Sequence, residues 1–182
     1  MGQRRTRTAR PPLDAARLGE LALAYVGRFA TTRAKLSVYL ERKIRERGWA
    51  GQAPPDVEAI AQRLASLGYI DDAAFALSRA RSLTERGYGS KRVRHSLRAA
   101  GVGDEDSEPA RELAQAGAVE SALRFARRRR IGPFGSGTLD RAARQRALAA
   151  MVRAGHGFGL ANAILALEPG SEVDVELLAE KA

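Results

Sequence analysis

Apolar residues recur at intervals of three and four positions along most of the chain, which is the spacing of amphipathic helices. Three of these helix patterns end at Gly48, Gly101 and Gly155, and the glycines lie 53 and then 54 residues apart. This nearly fixed period predicts one supersecondary unit that is repeated three times. Four residues before each glycine stands an apolar side chain, in order Ile44, Leu97 and Met151.

The pattern predicts nine helices in three groups of three. We therefore expect an all-α fold, a tandem array of three three-helix repeats that is elongated and curved. The expected segments are a disordered basic N-terminal arm (1–14), repeat 1 (15–68), repeat 2 (69–116), repeat 3 (117–168) and an acidic C-terminal tail (169–182).

Small polar residues precede several of the predicted helices and are expected to cap them. Thr31 or Thr32 would cap the second helix, Asp56 the third and Ser90 the fifth. Asp71 would cap the fourth helix, because its apolar neighbours have the spacing of a hydrophobic staple.

Composition narrows the possible functions. The 182 residues include 31 Lys and Arg against 21 Asp and Glu, a net charge of +10, and aromatic residues make up only 5%. An anionic partner is the first expectation, since guanidinium groups suit phosphates and carboxylates. With no cysteine and two histidines, the chain is predicted to bind no metal and no cofactor. No apolar stretch suits a membrane span, so we expect a cytoplasmic monomer.

The positive charge is concentrated in three helical segments, one in each predicted repeat. Residues 33–47, 79–98 and 113–156 carry net charges of +4, +6 and +7. Taken alone, each of these segments is equally consistent with an ordinary solvated helix face and with a binding surface. Recurrence in all three repeats favours a stripe that contacts phosphates or an acidic protein surface, with strong salt dependence.

Other motifs have structural interpretations. The pair Asp71 and Asp72 could act as an acid and a base, but capping explains the first without chemistry. The glycine-rich segments 87–89 and 155–159 lack the residues of a phosphate-binding loop and are predicted to make turns. Tyr88 and Phe158 are interpreted as wedges between helices, with an exposed aromatic that meets a partner as the alternative. Few exposed aromatics are expected among the arginines, which argues against base stacking with single-stranded nucleic acid. No catalytic residues are predicted.

Segment 67–101 carries a more specific signal. It contains Leu-Gly-Tyr-Ile-Asp-Asp-Ala-Ala-Phe-Ala at 67–76, Arg-Gly-Tyr-Gly at 86–89 and Arg-Val-Arg at 92–94, followed by Leu97 and Gly101. This order and spacing resembles the RecX family, bacterial regulators of the RecA recombinase. The flanking helices resemble the family more loosely, and with them the resemblance covers roughly residues 18–167.

The resemblance implies tandem three-helix repeats and a protein that is not an enzyme. It implies binding within the groove of the RecA filament on single-stranded DNA, and restraint of the filament's ATP hydrolysis, strand exchange and stimulation of repressor self-cleavage. A direct nucleic-acid-binding protein without a recombinase partner is the alternative. The residues expected to define the fold are Asp71, Asp72, Phe75, Gly87, Gly89, Leu97 and Gly101. The residues expected to contact the partner are Arg79, Arg86, Lys91, Arg92, Arg94 and Arg98.

Overall fold

The structure is a computed structural model that describes residues 11–182. In this range all regular elements are helical, apart from one isolated bridge between Leu13 and Trp49. The predicted all-α class is therefore confirmed. Two compact units are present, of which one ends at Asp71 and the other spans Asp72–Ala182.

The first unit holds three helices: α1 (Ala15–Val26), α2 (Arg33–Arg47) and α3 (Val57–Ser66). Each turns one apolar stripe inward, as the three-and-four spacing requires. The buried core of this unit consists of Leu13, Leu18, Ala22, Leu36, Leu40, Ala61, Leu64 and Ile70.

Side-chain caps begin these three helices. The Thr32 hydroxyl accepts a hydrogen bond from the Lys35 backbone N–H at 3.1 Å, and Asp56 accepts one from Ala59 at 2.9 Å. Both bonds satisfy backbone donors that the first helical turn leaves unpaired. Two predicted caps are thus confirmed, and Asp14, which was not predicted as a cap, does the same for α1.

Residues 11–14 belong to the first unit, although the sequence interpretation placed them in the N-terminal arm. Leu13 is fully buried, and its backbone pairs with Gly48 and Ala50 at 2.9 and 2.8 Å. Leu13 is a single apolar residue between two prolines and an acidic residue, and one residue cannot show a helical period. The sequence pattern therefore gave no sign of its burial. Residues 1–10 of the predicted arm lie outside the described residues.

The second unit continues the repeat of three helices. The first group packs around a core rich in alanine, with α4 held closely against α6. The second group surrounds a larger core centred on Phe125, Met151 and Ile164. The helices are α4 (Asp72–Glu85), α5 (Ser90–Ala99), α6 (Asp104–Ala116), α7 (Ala118–Arg129), α8 (Arg141–Arg153) and α9 (Phe158–Ala166), with a short 3-10 turn at Gly132–Phe134.

The three recurring glycines follow the middle helix of each group. Gly48, Gly101 and Gly155 have φ angles of 82°, 69° and 97°, in the left-handed region that side chains disfavour. They end α2, α5 and α8 as glycines at this position commonly do. The period seen in the sequence therefore marks equivalent turns of the fold.

A tenth helix, α10 (Val175–Ala179), lies in the segment predicted only as an acidic tail. Leu178 is 3% exposed in the core of the third group, and the Gly170 N–H bonds the Pro133 carbonyl at 2.9 Å. Nine helices were predicted, whereas residues 11–182 contain ten α-helices. The helix is only five residues long, too short for its apolar period to stand out from the acidic residues around it.

Candidate partner-binding surface

Helix α5 has one apolar face and one positively charged face. Val93 and Leu97 are buried, whereas Lys91, Arg94 and Arg98 are exposed. Positions i, i+3 and i+7 share one side of a helix, so these three cations form a row opposite the core. We call the exposed cations Lys91, Arg92, Arg94 and Arg98 together the cationic face of α5, although Arg92 projects from a different side of the helix, towards Tyr88.

Carboxylates do not neutralise this face. Within residues 11–182, none of its four side chains forms an ion pair. On α2, the equivalent helix of the first unit, Arg42 and Arg45 lie 3.7 and 3.8 Å from Glu46 and Glu41. The positive charge of α2 is therefore partly compensated within its own helix, and that of α5 is available to a partner.

Two of the predicted contact residues share an aromatic ring. The guanidinium carbons of Arg86 and Arg92 lie 5.5 and 5.9 Å from the centre of the Tyr88 ring. Such contacts hold guanidinium groups in place without neutralising them. Arg79 reaches from α4 to α5, where its Nε donates to the Ser96 hydroxyl at 2.9 Å. The structure thus brings Arg79, Arg86 and Arg92 to α5 and its first turn.

The residues predicted to define the fold occupy different environments. Asp71 is exposed, whereas Asp72 is buried in the first turn of α4. Phe75 is half-buried, Leu97 lies in the second-repeat core, and Gly101 ends α5.

The glycine-rich segments contact each other. The Gly89 N–H donates to the Ala154 carbonyl at 3.0 Å, and the Lys91 N–H donates to the Gly155 carbonyl at 3.1 Å. A Cβ at Gly89 would overlap the Gly155 carbonyl and lie 2.6 Å from the His156 nitrogen. Two backbones approach here at a distance that only glycine allows. These segments were predicted to make turns, and the structure shows that they also join the second repeat to the third.

This contact changes how α5 begins. Ser90 was predicted as its N-cap, but Gly89 holds that position and Ser90 is the first helical residue, so the prediction was wrong. No side chain caps the helix; the Gly155 carbonyl accepts from the first turn instead.

Two arginines of the third repeat hold the end of α4. Arg124 donates to the Glu85 carbonyl at 3.1 Å, and Arg128 donates to the Arg86 carbonyl. A helix leaves its last carbonyls without partners, so these arginines act as caps supplied from another helix. Both were counted in the sequence among the residues of a basic stripe, and the structure gives them an internal role.

His156, also from the third repeat, contacts the turn that follows α4. It is 2% exposed, its Nε2 lies 3.2 Å from the Gly87 carbonyl, and its ring meets Phe125 edge-on. Because a carbonyl only accepts, Nε2 carries the proton and Nδ1 is unprotonated. Burial lowers the pKa of His156 to about 4, since desolvation disfavours the charged ring more than the Gly87 carbonyl favours it.

We expect His156 to make the fold sensitive to acid. In the unfolded chain, His156 has an ordinary pKa of 6.5 and binds a proton below that pH. In the folded protein the ring does not bind this proton until the pH falls to about 4. The stabilisation is therefore complete above pH 6.5 and is lost as the pH falls towards 4. Denaturant unfolding followed by circular dichroism should show a loss of about 2 kcal/mol from this group between pH 7 and pH 5.

The two histidines provide a matched control for that experiment. His156→Gln should remove this part of the pH dependence, whereas His95→Gln should keep it, because His95 is exposed on α5. An unchanged pH dependence in the His156 variant would show that the ring does not titrate as described.

Residues 11–182 contain neither a metal-binding cluster nor a membrane span. No group of three or more His, Cys, Asp or Glu side chains there is arranged to hold a metal ion. In the same range no helix combines the length and apolar composition needed to cross a bilayer.

One relative aligns along most of this chain. The Regulatory protein RecX of Myxococcus xanthus (strain DK1622) is 34% identical over 163 residues, covering 84% of this chain and 86% of the relative. This chain belongs to the RecX family. The sequence model described as RecX, second three-helix domain, matches residues 71–110, which include all of α5. The resemblance seen in the sequence is therefore confirmed.

Solved RecX structures share the fold. The crystal structure of RecX from Lactobacillus salivarius aligns with a TM-score of 0.58 at 20% identity, covering 82% of this chain and 93% of that one. A second crystal structure of regulatory protein RecX also gives 0.58, at 23% identity, covering 82% of this chain and 70% of that one. Tandem three-helix repeats are thus the architecture of this chain.

Proposed function

We propose that this protein binds the RecA recombinase filament on single-stranded DNA and lowers its ATP hydrolysis, strand exchange and stimulation of repressor self-cleavage. Membership in a family of regulatory proteins supports this function. The observation that carries it is the uncompensated cationic face of α5, which lies within the segment matched to the family's second domain.

The partner surface is proposed to include Arg79, Arg86 and the cationic face of α5. A filament groove presents acidic side chains and DNA phosphates, both of which suit guanidinium groups. Arg79 and Arg86 are each anchored by one neighbour, Ser96 and Tyr88, and keep further donors for a partner. Contacts repeated along neighbouring filament subunits would strengthen a modest affinity per contact.

The test is the DNA-dependent ATPase of the cognate recombinase, measured on single-stranded DNA with increasing amounts of this protein. We expect ATP hydrolysis to fall as the protein is added, and to recover as salt is raised, because the contacts are ionic. A rate that does not change at saturating protein would refute the proposal.

Direct nucleic-acid binding is the second candidate, favoured by the row of unpaired cations on α5. Titration of labelled single- and double-stranded DNA without recombinase separates the two. Tight binding to both forms at near-physiological salt, with no effect on the ATPase, would favour the second candidate. Weak binding that strengthens on recombinase-coated DNA would favour the first.

A further inference from the structure

A cavity of about 300 Å³ lies in the second unit between the start of α5 and the start of α9. Lys91 and Arg94 of the cationic face border it, and Lys181 stands at its edge. No described carboxylate side chain lines the cavity. The charged side chains that line it are therefore all positive, and the backbone of Ala182 also borders it.

The start of α9 also borders this cavity. Its N-cap is Gly157, which provides no side-chain cap, whereas the first turn of α5 already donates to the Gly155 carbonyl. First-turn N–H groups and the helix dipole both favour an anion at an uncapped helix start. The start of α9 and the side chains of Lys91 and Arg94 thus border one space.

Phe158 also borders this cavity and is 63% exposed. It was interpreted from the sequence as a wedge between helices, and that interpretation was wrong. Tyr88, by contrast, packs against the cores of both repeats of this unit. An exposed aromatic ring beside uncompensated cations is the combination that binds single-stranded nucleic acid, in which bases stack and phosphates pair with cations.

His156 provides an independent observation. It borders the same cavity, is 2% exposed, and its Nδ1 has no hydrogen-bond partner. Since Nε2–H donates to the Gly87 carbonyl, Nδ1 needs a donor. A buried acceptor without a donor is costly, and a ligand or water that offers an N–H or O–H would satisfy it. Nucleobases carry such donors.

We infer that this cavity is a nucleotide subsite for single-stranded DNA. A base stacks on Phe158, and the adjoining phosphate lies against Lys91, Arg94 and the amides that begin α9. Duplex DNA is excluded, because its bases are already stacked on each other. The inference builds on the proposed function, which brings this protein to single-stranded DNA.

The experiment is fluorescence anisotropy of a labelled oligodeoxythymidylate, without recombinase, at several salt concentrations. Phe158→Ala is expected to weaken binding about tenfold with an unchanged salt dependence, because stacking involves no ion release. Lys91→Ala with Arg94→Ala is expected to weaken binding and to reduce the magnitude of the slope of log K against log salt by about 0.7, the value for one phosphate of a single strand.

Phe29→Ala is the matched control, since Phe29 is 56% exposed in the first unit and should leave affinity unchanged. An affinity of Phe158→Ala within twofold of the wild type would overturn the inference, as would absent wild-type binding at low salt. If Phe158→Ala instead impairs ATPase inhibition with unchanged DNA affinity, the cavity contacts a protein and the nucleotide subsite is wrong. Failure of the subsite leaves the separate ATPase test of the proposed function intact.

Discussion

Replacing Arg92 and Arg94 together with glutamate is expected to raise the concentration needed for half-maximal inhibition of the recombinase ATPase by about 100-fold. Both side chains are exposed on different sides of α5, and neither has a carboxylate partner among residues 11–182. Reversal replaces two attractive contacts with an anionic filament by two repulsive ones. The helix should survive, because its buried face of Val93 and Leu97 is unchanged.

Arg42→Glu with Arg45→Glu is the matched control for charge. This pair lies on the equivalent helix of the first unit and alters the net charge by the same amount. Each of these arginines already faces a glutamate, at 3.7 and 3.8 Å, so less of its charge is available to a partner. We expect a change of less than about fivefold. Equal losses in both double variants, with helicity intact, would show that total charge matters and the α5 face does not.

The sequence was sufficient for the features that rest on local rules. The glycine period marked three equivalent turns because each needs a positive φ, which is a property of a single residue. The two faces of α5 could be predicted because burial of Val93 and Leu97 follows from a spacing of four. Thr32 and Asp56 were predictable as caps, since a cap bonds only three residues ahead.

What the sequence did not reveal depends on residues that are distant along the chain. Ser90 satisfies the local rule for a cap, but a carbonyl at Gly155, 65 positions later, takes that place. Arg124 and Arg128 were predicted to lie on a charged surface, because the carbonyls that accept their hydrogen bonds lie some 40 residues earlier, at Glu85 and Arg86. The aromatic ring of Phe158 is likewise far in sequence from the cations beside it. Only the tertiary fold brings such groups together.

The close approach of two backbones at Gly89 predicts the largest effect on stability. Gly89→Ala is expected to lower the free energy of unfolding by about 3 kcal/mol or more. Its backbone, at φ −81° and ψ 168°, is open to any residue, so the cost comes from contact and not from conformation. The new Cβ would meet the carbonyl of Gly155 and the nitrogen of His156, which are main-chain atoms that no rotamer change can move aside.

Gly157→Ala isolates that contact. Gly157 is also an N-cap with an extended backbone, at φ −61° and ψ 144°, and a Cβ there meets nothing within 4 Å. Any change in capping and the lower conformational entropy of the unfolded chain are therefore shared by the two variants, and the difference between them measures the overlap. Denaturant unfolding at pH 7 should place Gly157→Ala within about 1 kcal/mol of the wild type. Should the two variants prove equally stable, the second and third repeats are not joined through Gly89. A loss confined to Gly89→Ala would instead show that the start of α5 is held against the third repeat through this backbone contact.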